Sequence, residues 1–426
     1  MNSPDSNKKQ FIAPSQLCIG LYVHLDLGWT EHPFTFSSFR IKSLDQIETI
    51  QALGLERIHY SPDRSEAEPL AATTEPAPAP MPALPREEDP AYQAKRERLQ
   101  RLVAYREKVT ACERELMSNA RSLKAINQNL FSRPLDARLE VEKMVNAIAD
   151  SMLSEPDVSI HLMPDKIGGE DAYHHALNVT VMSMILAKEL KAPPAAVYAI
   201  GQGAVLHDVG KHDIPLGLQR KTTPLTRPEL GLVQQHCLAG VQIGQRMGLP
   251  PEVSIVIEQH HEHVDGSGYP KKLAGPQLNL LAKIVALVNA YDNLCNPVNP
   301  AAALTPHEAL STLYGQRRAL YDPAVMAILV RTMGIYPPGT VVVLSNGAIG
   351  LVTSINSSRP LRPTILVYDP EIPKEAAILV DLDQEPDITI VKTLRPQQLP
   401  QAVHDYLAPR KRMTYHFNPE AGKVGA

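Results

Sequence analysis

The chain has 426 residues, 42 Lys and Arg against 46 Asp and Glu, a formal net charge of -4, and 44% hydrophobic residues. That length suits two to three domains with ample core, and the charge balance gives no global attraction toward DNA or an anionic membrane. Cys18, Cys112, Cys237 and Cys295 lack paired spacing, as expected in a reducing cytoplasm, and neither a signal peptide nor an apolar run of the ~20 residues needed to span a bilayer is expected.

Residues 1–63 read as a small α+β unit. Leu17–Leu25 alternates like a strand, and Phe34, Phe36, Phe39 and Ile41 suggest a second. Ser43 caps a helix that places Ile47, Ile50 and Leu53 on one face, Gly54 ends it, and Arg57–Tyr60 supplies a third strand. Trp29, with His32 and Pro33, marks a docking surface or, more simply, a core or interface anchor. Residues 64–90 alternate proline and alanine from Pro76 to Pro82, the composition of a semi-rigid extended linker.

Residues 91–133 predict a long charged helix. Leu99, Leu102, Val103, Val109, Leu116, Leu123, Ile126 and Leu130 fall roughly on one stripe, with Lys, Arg and Glu elsewhere. Such a helix is either a homodimer arm, favoured here for residues 91–131, or a helix laid against the next domain. Residues 134–336 carry helical periodicity throughout. After Tyr336-Pro337-Pro338-Gly339 the period becomes strand-like: Thr340–Leu344, a turn at Ser345–Ala348, Ile349–Ile355, Thr364–Tyr368 and Ile388–Val391 make residues 337–426 a β-rich appendage.

The chemistry lies in the helical stretch. His207-Asp208 follows an apolar run and precedes Gly210-Lys211 and Ile214-Pro215; His260-His261-Glu262 precedes Asp265-Gly266-Ser267-Gly268-Tyr269-Pro270. His175 opens an amphipathic helix, and His236 stands between the two motifs. A lone helical histidine is more often a packed or surface residue. This spaced set of imidazoles with a carboxylate instead suits first-row metals, and no nearby cysteine thiolate favours a structural zinc site.

These motifs, together with Lys221 and Pro224-Leu225-Thr226, resemble the HD-GYP family, a branch of the HD phosphohydrolases, from about Asp171 to Met333. The small unit of residues 11–63 also resembles an uncharacterised domain often fused ahead of HD-GYP domains. The resemblance implies a mainly α protein with an all-helical HD-type domain. It implies two or three divalent transition metals, iron or manganese, and hydrolysis of cyclic di-GMP to linear pGpG or GMP. His175, His207, Asp208, His236, His260 and His261 match its metal ligands, with Asp208 as a bridge. Asn289 takes a seventh place, Asp171 matches a third-metal ligand, and Lys211 would neutralise charge on phosphate. Asp265, Gly266, Gly268, Tyr269 and Pro270 would form a loop over the substrate that also serves a signalling protein partner.

The sequence departs from that pattern twice. Asn289 replaces the usual metal-ligand aspartate, and Cys295–Pro300 replaces a phosphate-gripping Arg-x-Tyr-Arg segment. Three expectations follow: a metal-dependent cyclic di-GMP phosphodiesterase, a catalytically weakened module that binds the nucleotide or a partner without efficient turnover, or a related HD phosphohydrolase acting on another nucleotide.

Overall fold

The computed structural model describes residues 10–27, 32–34, 37–71, 90–163, 171–370, 372–374 and 377–420. Trp29 and most of the expected linker lie outside them. The N-terminal unit is a four-stranded antiparallel sheet of β1 (Gln10–Ile12), β2 (Tyr22–His24), β3 (Ser38–Arg40) and β4 (Ile58–Tyr60), ordered β1-β4-β2-β3. Helix α1 (Leu44–Ala52) starts where Ser43 Oγ accepts from Gln46 N at 3.3 Å. It buries Ile47 and Ile50 against Leu21, Val23, Ile41 and Ile58. The sequence reading lacks β1, whose three residues are too few for a period-2 pattern.

Helix α2 (Pro90–Asn129) runs 40 residues. Leu102, Leu116, Leu123, Ile126 and Leu130 are buried, whereas Val103 and Met117 are exposed. The buried side chains pack within this same chain, against α3 (Pro134–Leu153), α4 (Asp171–Glu189) and the last strand. The stripe expected to serve a homodimer arm therefore already has an intramolecular partner.

The helical domain continues through α5 (Pro194–Leu206), α6 (Leu216–Gln219), α7 (Arg227–Gln234), α8 (His236–Met247), α9 (Pro251–Gln259), α10 (Leu280–Cys295), α11 (Pro306–Gly315) and α12 (Pro323–Met333). Proline opens α3, α5, α9, α11 and α12. Its fixed φ suits the first helical position, where the missing N–H would have no partner anyway. Thr226 with Glu229 and Thr305 with Glu308 close reciprocal capping boxes on α7 and α11.

The domain is not wholly helical. Asp157–Leu162 forms β5, which pairs with β7 and β11 in a seven-stranded sheet otherwise drawn from the C-terminal region. Its last five residues are all buried, because it lies between two strands and packs into the main hydrophobic core. The other members are β6 (Val341–Leu344), β7 (Ile349–Asn356), β8 (Thr364–Val367), β9 (Ile378–Asp381), β10 (Ile390–Leu394) and β11 (Tyr415–Glu420), with α13 (Gln401–Leu407) between β10 and β11. The expected hairpin is β6–β7. Strands β9 and β11, missing from the sequence reading, pair with β8 and β5. Met413–Phe417 thereby joins the main helical core, where Tyr415 lies beside Tyr291.

Candidate metal centre

Four segments converge. Helix α4 carries His175, the end of α5 carries His207 and Asp208, α8 opens on His236, and α9 ends into His260 and His261. A 3-10 turn, Val209–Asp213, packs against α8 so closely that a Cβ on Gly210 would sit 2.0 Å from His236 O. Only glycine permits that approach, which brings Asp208 beside His236.

Asp208 lies between two groups of rings. Its Oδ2 is 3.4 Å from His207 Nε2 and 3.7 Å from His175 Nε2. Its Oδ1 is 3.4 Å from His236 Nε2 and 3.7 Å from His260 Nε2. His175, His207 and Asp208 therefore make one potential cation site, and Asp208, His236, His260 and His261 a second. Lys211 Nζ donates to Asp208 Oδ2 at 2.5 Å.

The proton inventory tests whether a cation fits. Nδ1 of His207, His236 and His260 lies 2.6, 2.6 and 2.8 Å from the carbonyls of Ala204, Val233 and Ile257. A carbonyl only accepts, so each Nδ1 carries the proton and each neutral ring presents a lone pair at Nε2. Yet His236 Nε2 and His260 Nε2 stand 3.2 Å apart. His175 Nε2 and His207 Nε2 also stand 3.2 Å apart. Two lone pairs cannot hydrogen-bond each other; besides its facing ring, His236 Nε2 has the Cys237 thiol, one residue along, at a long 3.6 Å, and Asp208 Oδ1 is buried without a hydrogen-bond partner. A cation on each side would satisfy all of these acceptors, so the residues present fit metal.

Burial keeps the second group unprotonated. It pushes His260 down to about 3 and His261 well below the ordinary imidazole value, and it lowers His236 against the opposing pull of Asp208. Burial alone would raise the Asp208 carboxyl, but Lys211 and His207 hold it well below the usual carboxylate range. Neutral imidazoles beside an ionised carboxylate are the protonation states that metal binding requires.

Support behind the rings is uneven. His175 Nδ1 donates to Asp292 Oδ2 at 2.6 Å, and Asp292 Oδ1 accepts from Asn178 Nδ2 at 2.8 Å and Asn296 Nδ2 at 2.9 Å. Those two amides also donate to Met413 O, so the approach to β11 braces the site. Asp292 and both asparagines are absent from the sequence-based site. The available signal was that Asp292 stands three residues beyond Asn289, on the same face of α10.

Asn289 is buried on α10, and its Oδ1 accepts from Asn293 Nδ2 at 2.7 Å. With His260, His261, Asn293, Arg317 and Tyr321 it lines a cavity of about 330 Å³. Asp171 opens α4, but its side chain lies outside the described residues. The glycine-rich loop folds against the cluster through Tyr269, whose ring stacks on His261 at 4.6 Å. Gly268 is forced, because a Cβ there would meet His263 N at 2.4 Å. Asp265 Oδ1 caps Ser267 N at 2.9 Å, and Gly266 takes φ +77°; neither lines the cavity, nor do Gly268, Tyr269 or Pro270. Glu262 holds the loop by accepting from Lys271 N and Leu273 N, at 2.6 and 3.0 Å.

Residues 160–325 match the family model described as HD domain. This stretch belongs to the HD-domain family. Ahead of it, residues 9–138 match a domain of unknown function, DUF3391, and after it residues 341–402 match a KOW domain associated with HD domain. The chain is 28% identical over 367 residues to a cyclic di-GMP phosphodiesterase of Pseudomonas aeruginosa, covering 84% of each protein. It is 27% identical over 216 residues to a cyclic di-GMP phosphodiesterase response regulator of Xanthomonas campestris pv. campestris, covering 50% of this chain and 57% of that one. Among solved structures, an HD-GYP-type protein from Bdellovibrio bacteriovorus aligns at 18% identity and a TM-score of 0.41, over 76% of this chain and 98% of that one. Among the described residues, no helix is long and apolar enough to cross a membrane.

Proposed function

We propose that this chain is a metal-dependent phosphodiesterase hydrolysing cyclic di-GMP to linear pGpG, GMP or both. The observation that carries the reading is the set of facing imidazole lone pairs around the two oxygens of Asp208. His175 and His207 would hold one ion, His236, His260 and His261 the other, and Asp208 would touch both. Iron or manganese suits this nitrogen-rich set with one carboxylate. Bound there, two ions would polarise a phosphoryl oxygen and acidify a water. The names of the two curated relatives support cyclic di-GMP as the substrate.

The chain's own residues account for the rest. Asp292 fixes the His175 ring and its protonated nitrogen. Lys211, at 2.5 Å from Asp208, places a positive charge where phosphate charge would grow. Tyr269 stacks on His261 and would hold that ring in place from one side.

A second reading is favoured by Asn289. Its oxygen already accepts from Asn293, so it brings neither charge nor a free acceptor pointed solely at the cluster. On that reading the domain binds the nucleotide, or a signalling protein at the 265–270 loop, with weak turnover. For a second copy docking along residues 91–131, Val103 and Met117 are apolar side chains left exposed.

The test is elemental analysis of protein purified anaerobically with added iron or manganese, alongside release of linear product from cyclic di-GMP. Two ions per chain with turnover are expected. Absence of bound metal would sink the reading, and two bound ions with nucleotide binding but no product would leave only the weakened module.

A further inference from the structure

The cavity beside the cluster has an unusual lining. His260, His261, Asn289, Asn293 and Arg317 supply its polar groups together with His263 and Tyr321, and among the described residues no carboxylate lines it. Arg317 stands in the turn between α11 and the 3-10 turn Arg318–Leu320. Its neighbour Arg318 lies over the Tyr314 ring, 5.4 Å from the centroid. Arg317 forms no ion pair among the described residues. The turn that carries it is fixed: Arg317 N donates to Thr312 O and Leu320 N donates to Arg317 O, at 3.1 and 3.0 Å.

A guanidinium without a carboxylate, opening into a cavity lined by neutral imidazoles and amides, is suited to an anion. Its planar fork matches two oxygens of one phosphate. The same cavity is lined by His260 and His261. A cyclic dinucleotide carries two phosphates in one ring, so with one at the histidine cluster the other is still held nearby. A simple phosphodiester has nothing to offer that second position.

We propose that Arg317 is a specificity-determining residue that grips the phosphate not being cut, selecting cyclic dinucleotides over single-phosphate diesters. This rests on the phosphodiesterase reading above. The experiment compares full-length protein with Arg317→Ala and Arg317→Lys on cyclic di-GMP and on bis(p-nitrophenyl) phosphate. It reads kcat and KM for each substrate, the dissociation constant for cyclic di-GMP by calorimetry, and metal content.

Losing a charged hydrogen-bond partner predicts a fall of about 10- to 100-fold in the ratio of kcat/KM for cyclic di-GMP over the single-phosphate ester in Arg317→Ala. The loss should lie mainly in KM and be matched by weaker calorimetric binding, with metal content retained. Arg317→Lys should recover part of it, since charge returns without the fork. An active unmodified protein whose ratio is the same in Arg317→Ala would overturn this inference alone. Loss of metal in Arg317→Ala would also overturn it, by giving the residue a structural role. Unmodified protein that hydrolyses the simple ester but neither binds nor cuts cyclic di-GMP would refute the substrate reading and this inference together.

Discussion

On one side of Asp208, Oδ2 faces His175 and His207, and a second carboxylate, Asp292, stands directly behind His175. On the other side, Oδ1 faces His236 and His260, with His261 close by, and the residue that α10 contributes is the neutral Asn289. The first side gains negative charge and orientation from Asp292, Asn178 and Asn296. The second offers more imidazoles, but its amide is tied to Asn293. The contrast teaches that ligand count and charge are separate quantities. A site can hold a full set of nitrogen donors and still balance a divalent ion poorly, and such an ion should leave that side first.

Asp208→Ala should break both sides at once. Among the described residues it removes the carboxylate that faces both ring groups, so metal content should fall toward zero and turnover by on the order of a hundredfold or more. His207→Ala combined with Asp208→Ala should do the same. Retention of two ions in Asp208→Ala, by elemental analysis, would show that Asp208 does not join the sites. Asp292→Asn should act on one side alone, weakening the His175 ion by about 10- to 100-fold because the ring loses its anionic anchor. Chelator titration should then show one ion released early and the other as before; equal weakening of both would dissolve the distinction.

Asn289→Asp should sharpen the comparison from the other side. One added negative charge should tighten the ion held with His260 and His261 by roughly tenfold and raise turnover with it. A lower rate, from an unmodified protein that already turns over briskly, would mean that the amide is an adapted ligand and that the weakened-module reading is wrong.

The smallest effect concerns pH. Burial pushes His260 and His161 down to about 3, so the folded chain leaves both neutral where the unfolded chain protonates them near 6.5. More protons then bind the unfolded state, so stability is fully present above about pH 6.5 and is lost as pH falls toward 3. Metal-free protein should melt at a lower temperature at pH 5 than at pH 7. An unchanged melting temperature in the presence of chelator would contradict the burial assigned to these rings.

Much of the site was legible because its parts are local. Gly210 follows His207-Asp208 in the chain, and the contact with His236 that requires it comes from one tight turn. The glycine-rich loop, the Ser43 cap and the prolines that open α3, α5, α9, α11 and α12 obey rules spanning a few residues. Other features resisted reading for the opposite reason. Strand β5 is six residues long, and its partners β7 and β11 lie far along the chain, so nothing beside it announces a sheet. The apolar stripe of α2 fitted either a second copy, the favoured expectation, or this chain, and only the tertiary structure shows Leu116, Leu123 and Ile126 packed within the chain.

The sequence by itself determined the donor types, their order, the neutral residue at 289 and the change from helical to strand-like period near residue 337. These follow from side-chain chemistry and short-range backbone preference. The tertiary structure decided that Asp292 stands behind His175, that Asn178 and Asn296 share Met413 O, and that Arg317 rather than Arg318 opens into the cavity. Asn178 and Met413 are 235 residues apart. Such contacts depend on how α4, α10 and the strand β11 pack together, and burial then sets whether each polar group must find a partner.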